Sequence, residues 1–523
     1  MLNRRAGLGW LCAFVLSLLW AAPIGAQAPI AVRAGDTVVR GGSWIDVERG
    51  VAVRNTAMIV RDGVIMAIGA DVAGADLSAA HVMNLSADEY ILPGIFDLHA
   101  HYAVDLFGAG RIDEYHVNPV LYLANGVTST FPAGEVDPAG MKHARELIDA
   151  GQQVGPRIYN SGPYFGSARP GWNNALETPE RIRAEVDYWA ANGVRDFKGK
   201  GIHPEQLQAL IDEAHKHGLT VTGHLDSGFR DSVNPRDAIL MGIDRIEHFM
   251  GGDTMPATRS AYASLQEMDV NSPDELAEMK LFIRQHVFYD ATLSTYGNYN
   301  YGHKDPKVFA PWTDEEQFLT PYARTVVTEG LKTKKPNEQF NKIYLVKRKE
   351  IKRFYDVGGR DWITLGTDLP SWGEDLDGFA DHRELRAFVA AGIPPKDALR
   401  FATINGARAL NVANKLGSID VGKYADLFVV RGNPLADIEN AHKVQWVMKS
   451  GQVYDTAELL ASVAGTMGPA GPEDADAWKG RMHVTEPVAQ PPDSLPSIPL
   501  GVAPARGGRG RGAGGRGGTG VKP

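Results

Sequence analysis

The stretch ILPGIFDLHAHYAVDL, residues 91–106, is the most informative part of the sequence. An apolar run that is typical of a buried strand leads into two histidines, His99 and His101, which are separated by one residue. Side chains at positions i and i+2 of a strand point to the same side, so both imidazoles face the same way. Neither histidine is needed to end a strand, and the pair therefore predicts a ligand site where this strand ends.

The sequence that follows alternates apolar strand-like runs with helical patterns, which is typical of a parallel α/β architecture. Helix starts are marked where a capping residue precedes proline, at Thr178-Pro179, Asn234-Pro235 and Ser272-Pro273. Strands and helices over about three hundred residues suit a (β/α)8 TIM-like barrel, whose active site lies at the carboxyl ends of its strands. The eight strand candidates are GIFDLHAH, GVTSTF, RIYNSG, RDFKG, LTVTGH, DRIEHF, VFYDATL and WITLGTD.

Two β-rich regions of matching character flank this α/β part. TAMIVRDGVIMAIG contains a hairpin turn at Asp62-Gly63, and the same texture returns near the end in GSIDVGKYADLFVVRGNPL. They predict a small composite β-sandwich domain made from both ends of the chain, with the barrel inserted between them. We assign residues 29–92 and 410–458 to the composite β domain and residues 93–409 to the barrel.

The two ends of the chain differ in composition from the rest. Arg4 and Arg5 precede an apolar run that ends in the small residues GAQA, which is the layout of a secretory signal peptide. We assign this signal to residues 1–28 and expect a periplasmic or secreted protein without stable membrane insertion after cleavage; a single membrane anchor is the alternative. Residues 459–523 are rich in Pro, Gly and Arg, and we expect them to form a disordered tail.

Composition restricts the classes of function. The chain has 523 residues, 44% of them hydrophobic, which is enough for a large core. Its one cysteine, Cys12, lies in the predicted signal, so the mature chain depends on packing and on metal or ligand binding rather than on disulfides. The net charge of −9 does not favour nucleic acid. The expected partner is a small molecule or short peptide, and a homo-oligomer stays open.

Polar residues also stand at the ends of four other candidate strands. Any one of them alone is more typical of a hydrogen-bonded structural residue, but strand ends converge in a barrel. Together with the histidine pair they form a set of imidazoles and a carboxylate that suits Zn2+ or a similar cation. The four residues are Lys198 in RDFKG, His224 in VTGH, His248 in RIEHF and Asp368 in LGTD.

Lys198 is the exception in this set, because an ammonium group beside divalent cations is strongly disfavoured. A neutral amine that takes up carbon dioxide becomes a carbamate, an anion whose two oxygens can bridge two metals. The sequence therefore predicts two divalent metal ions, with Zn2+ preferred, and N6-carboxylysine at Lys198. Lys200 shares the strand face of Lys198 one step further out and is the alternative carbamate.

These motifs, in this order, resemble the amidohydrolase superfamily, in the branch of imidazolonepropionase-like and Xaa-Pro dipeptidase-like enzymes. The likeness covers residues 36–456 and is carried by LPGIFDLHAH, GVRDFKG, RIEHF, LGTD, ALRFATINGARALN and GSIDVGKYADLFVV. The resemblance implies a bridging carboxylated Lys198, which directly follows an apolar strand residue as in the family. It also implies that each metal is bound by one pair of histidines. His99 and His101, together with Asp368, would bind the more buried metal, and His224 and His248 would bind the second.

The resemblance and the ligand set predict a metal-dependent hydrolase acting on a C–N bond. Water that bridges two divalent cations becomes a hydroxide nucleophile near neutral pH. Asp368 would accept its proton and pass it to the leaving amine, and a pure ligand role for Asp368 is the alternative. The substrate is expected to be an amide, a cyclic amide or an N-acyl amino acid. An Xaa-Pro-type dipeptidase and a lactone or ester hydrolase remain open.

Three features bear on substrate choice. Deaminases of the superfamily carry a glutamate three residues after the histidine of strand five, and Ser227 stands there in this chain, which counts against deamination. The aromatic loops SGPYFGSARPGWNN and STYGNYNYGHKDP are expected to border the site, with Tyr164, Arg169 and Tyr296 as substrate-binding candidates; structural packing of these side chains is the alternative. The polar segment KTKKPNEQFNKIYLVKRKEIKRF before strand eight predicts a partly helical lid or insertion.

Overall fold

The computed structural model describes residues 31–70, 72, 75–106, 111–298, 305–333, 335, 337–369 and 375–482. The predicted signal peptide, residues 1–28, lies outside the described residues. No helix in the described ranges is long and apolar enough to cross a membrane.

Strands occur along the whole described chain. They are β1 (Thr37–Asp46), β2 (Val51–Arg54), β3 (Ala57–Arg61), β4 (Val64–Ile68), β5 (His81–Pro93), β6 (Ile95–Ala100), β7 (Ala103–Val104), β8 (Ile112–Asp113), β9 (Val127–Pro132), β10 (Arg157–Ile158), β11 (Asp196–Lys200), β12 (Thr220–His224), β13 (Arg245–Glu247), β14 (Phe288–Asp290), β15 (Ile363–Thr364), β16 (Leu427–Arg431), β17 (Val444–Lys449) and β18 (Gln452–Asp455).

Helices alternate with the central strands. They are α1 (Asn118–Ala124), α2 (Pro138–Asp149), α3 (Pro179–Ala191), α4 (Pro204–Lys216), α5 (Pro235–Met241), α6 (Ala261–Leu265), α7 (Pro273–Gln285), α8 (Leu293–Asn298), α9 (Pro306–Phe309), α10 (Pro321–Leu331), α11 (Glu338–Asp356), α12 (Phe379–Ala390), α13 (Pro395–Arg400), α14 (Gly406–Ala409), α15 (Thr456–Ser462) and α16 (Ala475–Arg481). The predicted capping residues Thr178, Asn234 and Ser272 are the N-caps of α3, α5 and α7, and each side chain accepts a backbone N–H of the first turn.

Strands from both β-rich ends of the chain pair in one eight-stranded sheet, in the order β18-β17-β16-β5-β1-β3-β4 with β2 beside β1. The long strand β5 joins the two ends, since it runs parallel to β1 and antiparallel to β16. The sheet buries an apolar cluster drawn from both ends, which includes Val39, Met58, Ile91, Leu427, Val429 and Met448. The division of the chain into domains stays a prediction.

Each of the eight predicted barrel segments contains a strand, and the α/β class is confirmed. Regular parallel pairing places these strands in two sheets, β10-β9-β6 and β11-β12-β13-β14-β15. A few hydrogen bonds link the sheets at both edges. Leu98 N of β6 donates to Leu365 O (3.0 Å), and Phe165, in the loop after β10, donates its N–H to Lys198 O (2.9 Å) and accepts from Lys200 N (2.9 Å). Regular pairing does not close the barrel within the described chain, so closure stays a prediction.

Two segments outside the sheets bear on the predictions. The polar segment before strand eight is largely helical, as predicted, and α11 buries one face that includes Tyr344, Lys347 and Ile351. Helix α11 therefore packs as part of the core.

The sequence predicts a disordered tail from residue 459, but the structure differs over residues 459–482. Helix α16 ends at Arg481, and both Met467 and Trp478 are buried. Thr320 Oγ1 also donates to Pro469 O (2.6 Å). The segment contains few apolar residues, but those it has are enough to hold it against the core. The predicted tail beyond residue 482 lies outside the described residues.

Candidate metal centre

The two histidines at the end of β6 meet Asp368, which follows β15. His101 Nε2 lies 2.9 Å and His99 Nε2 lies 3.2 Å from Asp368 Oδ1. The backbone explains the contact, because Asp368 N donates to His99 O (2.9 Å) and brings the two strand ends together. Both imidazoles are buried. Their ligand atoms and that of Asp368 lie within 4.8 Å of one another, which is a spacing that suits a metal ion.

His248 adds a third imidazole directly after β13. Its ring lies 4.9 Å from that of His99, and its Nε2 is 3.7 Å from Asp368 Oδ2. Its Nδ1 lies 2.7 Å from Thr292 Oγ1. Because the Thr292 hydroxyl donates its proton to Ala291 O (2.8 Å), it accepts the Nδ1–H of His248. Nε2 then carries the lone pair and faces the centre, which is the form a metal ligand needs.

His224 lies at the edge of this cluster. It ends β12, and its ring is 4.3 Å from the ring of His248. At these strand ends the described side chains form two groups with ligand atoms within 4.8 Å: His99, His101 and Asp368 in one, and His99, Glu247 and His248 in the other. His224 is beside these groups without joining either.

Lys198 lies on β11 with 1% of its surface exposed, and its Nζ contacts the carboxylate of Glu247. Burial and the nearby charge of Lys200 lower the pKa of the Lys198 amine well below its usual value. Lys200 is only partly buried, and its Nζ lies 5.6 Å from the ring centroid of Tyr164. Lys198 therefore lies beside Glu247 and His99, whereas Lys200 is the register partner of His224 on the neighbouring strand.

Glu247 is a site residue that the sequence analysis did not select. Its carboxylate lies 3.4 Å from His99 Nδ1 and accepts a hydrogen bond from Thr222 Oγ1 (3.0 Å). Neighbouring residues of a regular strand point to opposite sides, so Glu247 and His248 were not expected to share a site. The φ of His248 is +65°, in the left-handed region, and this turn breaks the alternation. In the sequence, only the position of Glu247 next to His248 in the motif RIEHF indicated that it could be a site residue. The assumption of regular strand alternation placed its side chain on the opposite face.

The charge state of the cluster fits a divalent cation. Burial lowers the pKa of His99 and of His248 well below the usual value, and that of His101 to about 4, so these imidazoles are neutral. Burial alone would raise the pKa of Asp368, but His99 and the hydrogen bond with His101 hold it well below its usual value. His99 Nδ1 and His248 Nε2 are buried without a hydrogen-bond partner. Buried polar atoms are usually paired, so this donor set suits a metal.

The three predicted substrate-binding residues have different environments. Tyr164 is partly buried near Lys200, as expected for a residue bordering the site. Tyr296 is fully buried, 6.1 Å from the ring of His248, and stacks on Phe340 of α11, so it is not on the rim.

Arg169 donates to both carboxylate oxygens of Glu185 on α3 (2.8 and 3.0 Å). This buried ion pair favours the structural role that stood as the alternative for Arg169, because it already neutralises the charge of the guanidinium; the substrate contact stays a prediction.

Comparison with known proteins agrees with this fold. The sequence model of the amidohydrolase family matches residues 337–454. The 5-methylthioadenosine/S-adenosylhomocysteine deaminase of Teredinibacter turnerae is 37% identical over 86 residues, which are 15% of this chain and 19% of that enzyme. Adenine deaminase 3 of Rhizobium meliloti is 21% identical over 404 residues, 76% of this chain and 55% of that enzyme. This chain thus covers less than two thirds of either relative.

Among solved structures, a Xaa-Pro dipeptidase with bound methionine superposes with a TM-score of 0.59 at 21% identity, over 80% of this chain and 100% of that one. At this identity the likeness shows a shared fold. The fold and the residues at its strand ends define an α/β protein with a candidate metal-binding centre. The resemblance to the amidohydrolase superfamily that the motifs predicted is confirmed by the family model, which matches residues 337–454.

Proposed function

We propose that this protein is an exported, metal-dependent amidohydrolase that cleaves a C–N bond in an amide, a cyclic amide or an N-acyl amino acid. One observation carries the proposal: His99, His101, His248 and Asp368, which come from three different strand ends, converge on one buried centre as neutral imidazoles and a carboxylate. Burying these polar groups is energetically unfavourable, and they do not stabilise the fold in return.

The proposed site holds two divalent ions, with Zn2+ as the preferred metal. His99, His101 and Asp368 would hold one ion and His224 and His248 the other, with carboxylated Lys198 between them. Bound divalent ions would polarise the substrate carbonyl and lower the pKa of water. The low pKa of the buried Lys198 amine supports carboxylation, because the reaction with carbon dioxide needs a neutral amine.

Asp368 is the residue proposed to move the proton. It is a carboxylate rather than an acid, and its side chain is 19% exposed, whereas His99, His101 and His248 are buried. Its backbone is held on both sides, since its N donates to His99 O and its carbonyl oxygen accepts from Thr295 Oγ1. A fixed carboxylate at this position would take the proton of the attacking water and transfer it to the leaving nitrogen.

A Xaa-Pro-type dipeptidase is the second candidate, and the fold likeness to a Xaa-Pro dipeptidase favours it. Both activities would use the same centre, and a lactone or ester hydrolase would differ only in the leaving group. The curated relatives are named as deaminases. Ser227 argues against deamination here, because its hydroxyl donates to the carbonyl of Arg259 and the residue carries no carboxylate to shuttle a proton.

Metal analysis of the purified mature protein tests the centre. We expect two divalent ions per chain, loss of activity on chelation and its return with Zn2+. A second group, Asp187, Glu213 and His217, in which Glu213 is buried and the other two are exposed, can trap a metal during purification. The variant His217→Gln controls for it and should keep both ions. Protein that binds no metal would overturn the proposal.

The substrate class is tested with a panel of N-acyl amino acids, Xaa-Pro dipeptides, hydantoin-like rings and lactones. Hydrolysis of an amide member supports the proposal, and preference for Xaa-Pro dipeptides selects the second candidate. Release of ammonia from a purine would contradict the argument from Ser227. Export is tested by expressing the full chain and fractionating the cells: we expect a shortened protein in the periplasm or medium, and full-length protein in the cytoplasm would refute it.

A further inference from the structure

Helix α11 carries a lysine that is completely buried. Lys347 has no exposed surface, and its Nζ donates to the backbone carbonyl oxygen of His248 and lies 2.9 Å from the hydroxyl of Tyr289. Lysine is seldom buried in full, because its ammonium group loses its water. A methionine would fill this volume without that cost. The burial of the Lys347 ammonium group against the carbonyl oxygen of His248 therefore needs an explanation.

The carbonyl that Lys347 binds belongs to a strained residue. His248 has a φ of +65°, which is unfavourable for a residue with a β-carbon. This turn is what directs both Glu247 and the imidazole of His248 into the centre. Such a conformation persists only where surrounding contacts hold it. On the amino side His248 N donates to Asp290 O (2.9 Å), and on the carboxyl side the carbonyl is held by the α11 lysine and by Tyr289.

The number of protons available for hydrogen bonds shows why Lys347 is needed as a donor to His248 O. The Tyr289 hydroxyl lies 3.0 Å from His248 O and also contacts a carboxylate oxygen of Glu350. A phenol has one proton and cannot donate to both. Lys347 has three protons and donates to His248 O whichever acceptor Tyr289 takes. Glu350, one helical turn away, lies 3.7 Å from Lys347 Nζ and balances its charge.

We propose that Lys347 is a positioning residue that holds the backbone of His248, with Tyr289 and Glu350 as its partners. In this way α11, which supplies no ligand, determines where His248 Nε2 points. The proposal rests on the proposed function in one respect, since it takes His248 to be a metal ligand.

Lys347→Met tests the proposal, because it keeps most of the side-chain volume and removes the donors. Metal-depleted full-length protein is titrated with Co2+, and the visible absorption of the bound ion reports the ligand geometry. We expect about 10- to 100-fold weaker binding of one Co2+ and an altered spectrum, with kcat reduced more than KM is changed. The matched control is Lys352→Met on the same helix, a partly exposed lysine paired with Asp356 that should leave all of these unchanged.

Tyr289→Phe is the second variant, and it removes one donor to His248 O while Lys347 stays. We expect the same spectral change as for Lys347→Met, but smaller. If Lys347→Met does not fold, as judged by circular dichroism, the Co2+ spectrum and affinity of Tyr289→Phe test whether the donors to His248 O position its imidazole. Wild-type protein that binds no Co2+ would overturn the proposed function itself. Wild-type protein that binds two ions, with an unchanged Co2+ spectrum and affinity in the folded variants, would overturn the role of Lys347 alone.

Discussion

The metal centre and the eight-stranded sheet both join segments that are far apart in the chain, but they do so in opposite ways. In the sheet, Ile91 of β5 and Leu427 of β16 meet in an apolar cluster whose members are fully buried. In the centre, His99 and Asp368 meet through polar atoms, and His99 Nδ1 is left without a hydrogen bond. Apolar burial stabilises the fold, whereas unpaired buried polar atoms do not. The sheet therefore stabilises the fold, whereas the centre holds polar groups that fold stability alone does not require.

Backbone strain separates the two regions as well. In the sheet, the non-glycine residues with positive φ, Asp62 and Ser450, stand in hairpin turns directly before glycine, where such angles are ordinary. In the centre, His248, Thr292 and Asp368 have φ values of +65°, +48° and +50° although they are buried or partly buried and outside hairpins. Strain of this kind concentrates at functional sites, where it directs side chains.

The largest expected effect comes from removing the proposed bridging ligand in Lys198→Ala. We expect loss of bound metal and activity no higher than that of metal-depleted wild-type protein, with partial recovery in the presence of a short carboxylic acid. Metal analysis and rate measurements with and without the acid check this. Lys200→Ala is the matched control, and it should retain both ions. The assignment of the carbamate would pass to Lys200 if the two variants behaved in the reverse way.

Asp368→Asn should have the next largest effect. The amide keeps an oxygen for a metal but accepts no proton, so kcat is expected to fall by about 10²- to 10⁴-fold. Steady-state rates at saturating substrate, together with metal content, measure this. If metal content and kcat both stay at the wild-type level, Asp368 is neither base nor essential ligand. Loss of metal along with activity would favour the pure ligand role.

Leu427→Ala should show the opposite behaviour in the sheet. Truncation of this fully buried side chain is expected to lower the free energy of unfolding by about 2–5 kcal/mol through the cavity it leaves. Urea unfolding measures the loss, and kcat per folded molecule should not change. A large fall in kcat with little loss of stability would break the distinction between the two regions.

His382→Gln should have the smallest effect and concerns a buried imidazole outside both regions. Its Nε2 lies 2.9 Å from Asn125 O, and burial, with the nearby His442, lowers its pKa to about 3. Below pH 6.5 the unfolded chain binds a proton at His382 that the folded protein does not, so wild-type stability falls relative to the variant as pH decreases. We expect a relative loss of about 1 kcal/mol between pH 6.5 and 5.5. Urea unfolding of both proteins at the two pH values measures it, and a pH-independent difference would contradict it.

Local patterns predicted much of the fold. The hairpin at Asp62-Gly63 forms between β3 and β4, and the caps at Thr178, Asn234 and Ser272 start helices. These features depend on neighbouring residues, which is why they can be read from the sequence. The prediction of disorder for residues 459–482 was wrong because this segment is held by contacts with residues far away in the chain. One example is the hydrogen bond between Thr320 and Pro469, which local composition does not reveal.

By itself the sequence determined the strand ends, the residue types that stand on them and the resemblance to the amidohydrolase superfamily, because each depends on order along the chain. Only the tertiary structure decided which groups support the ligands. Glu247 enters the centre through the positive φ of His248, and Lys347 reaches the carbonyl of that residue from 99 positions away. Neither follows from periodicity, since backbone strain and long-range packing are set by the whole fold.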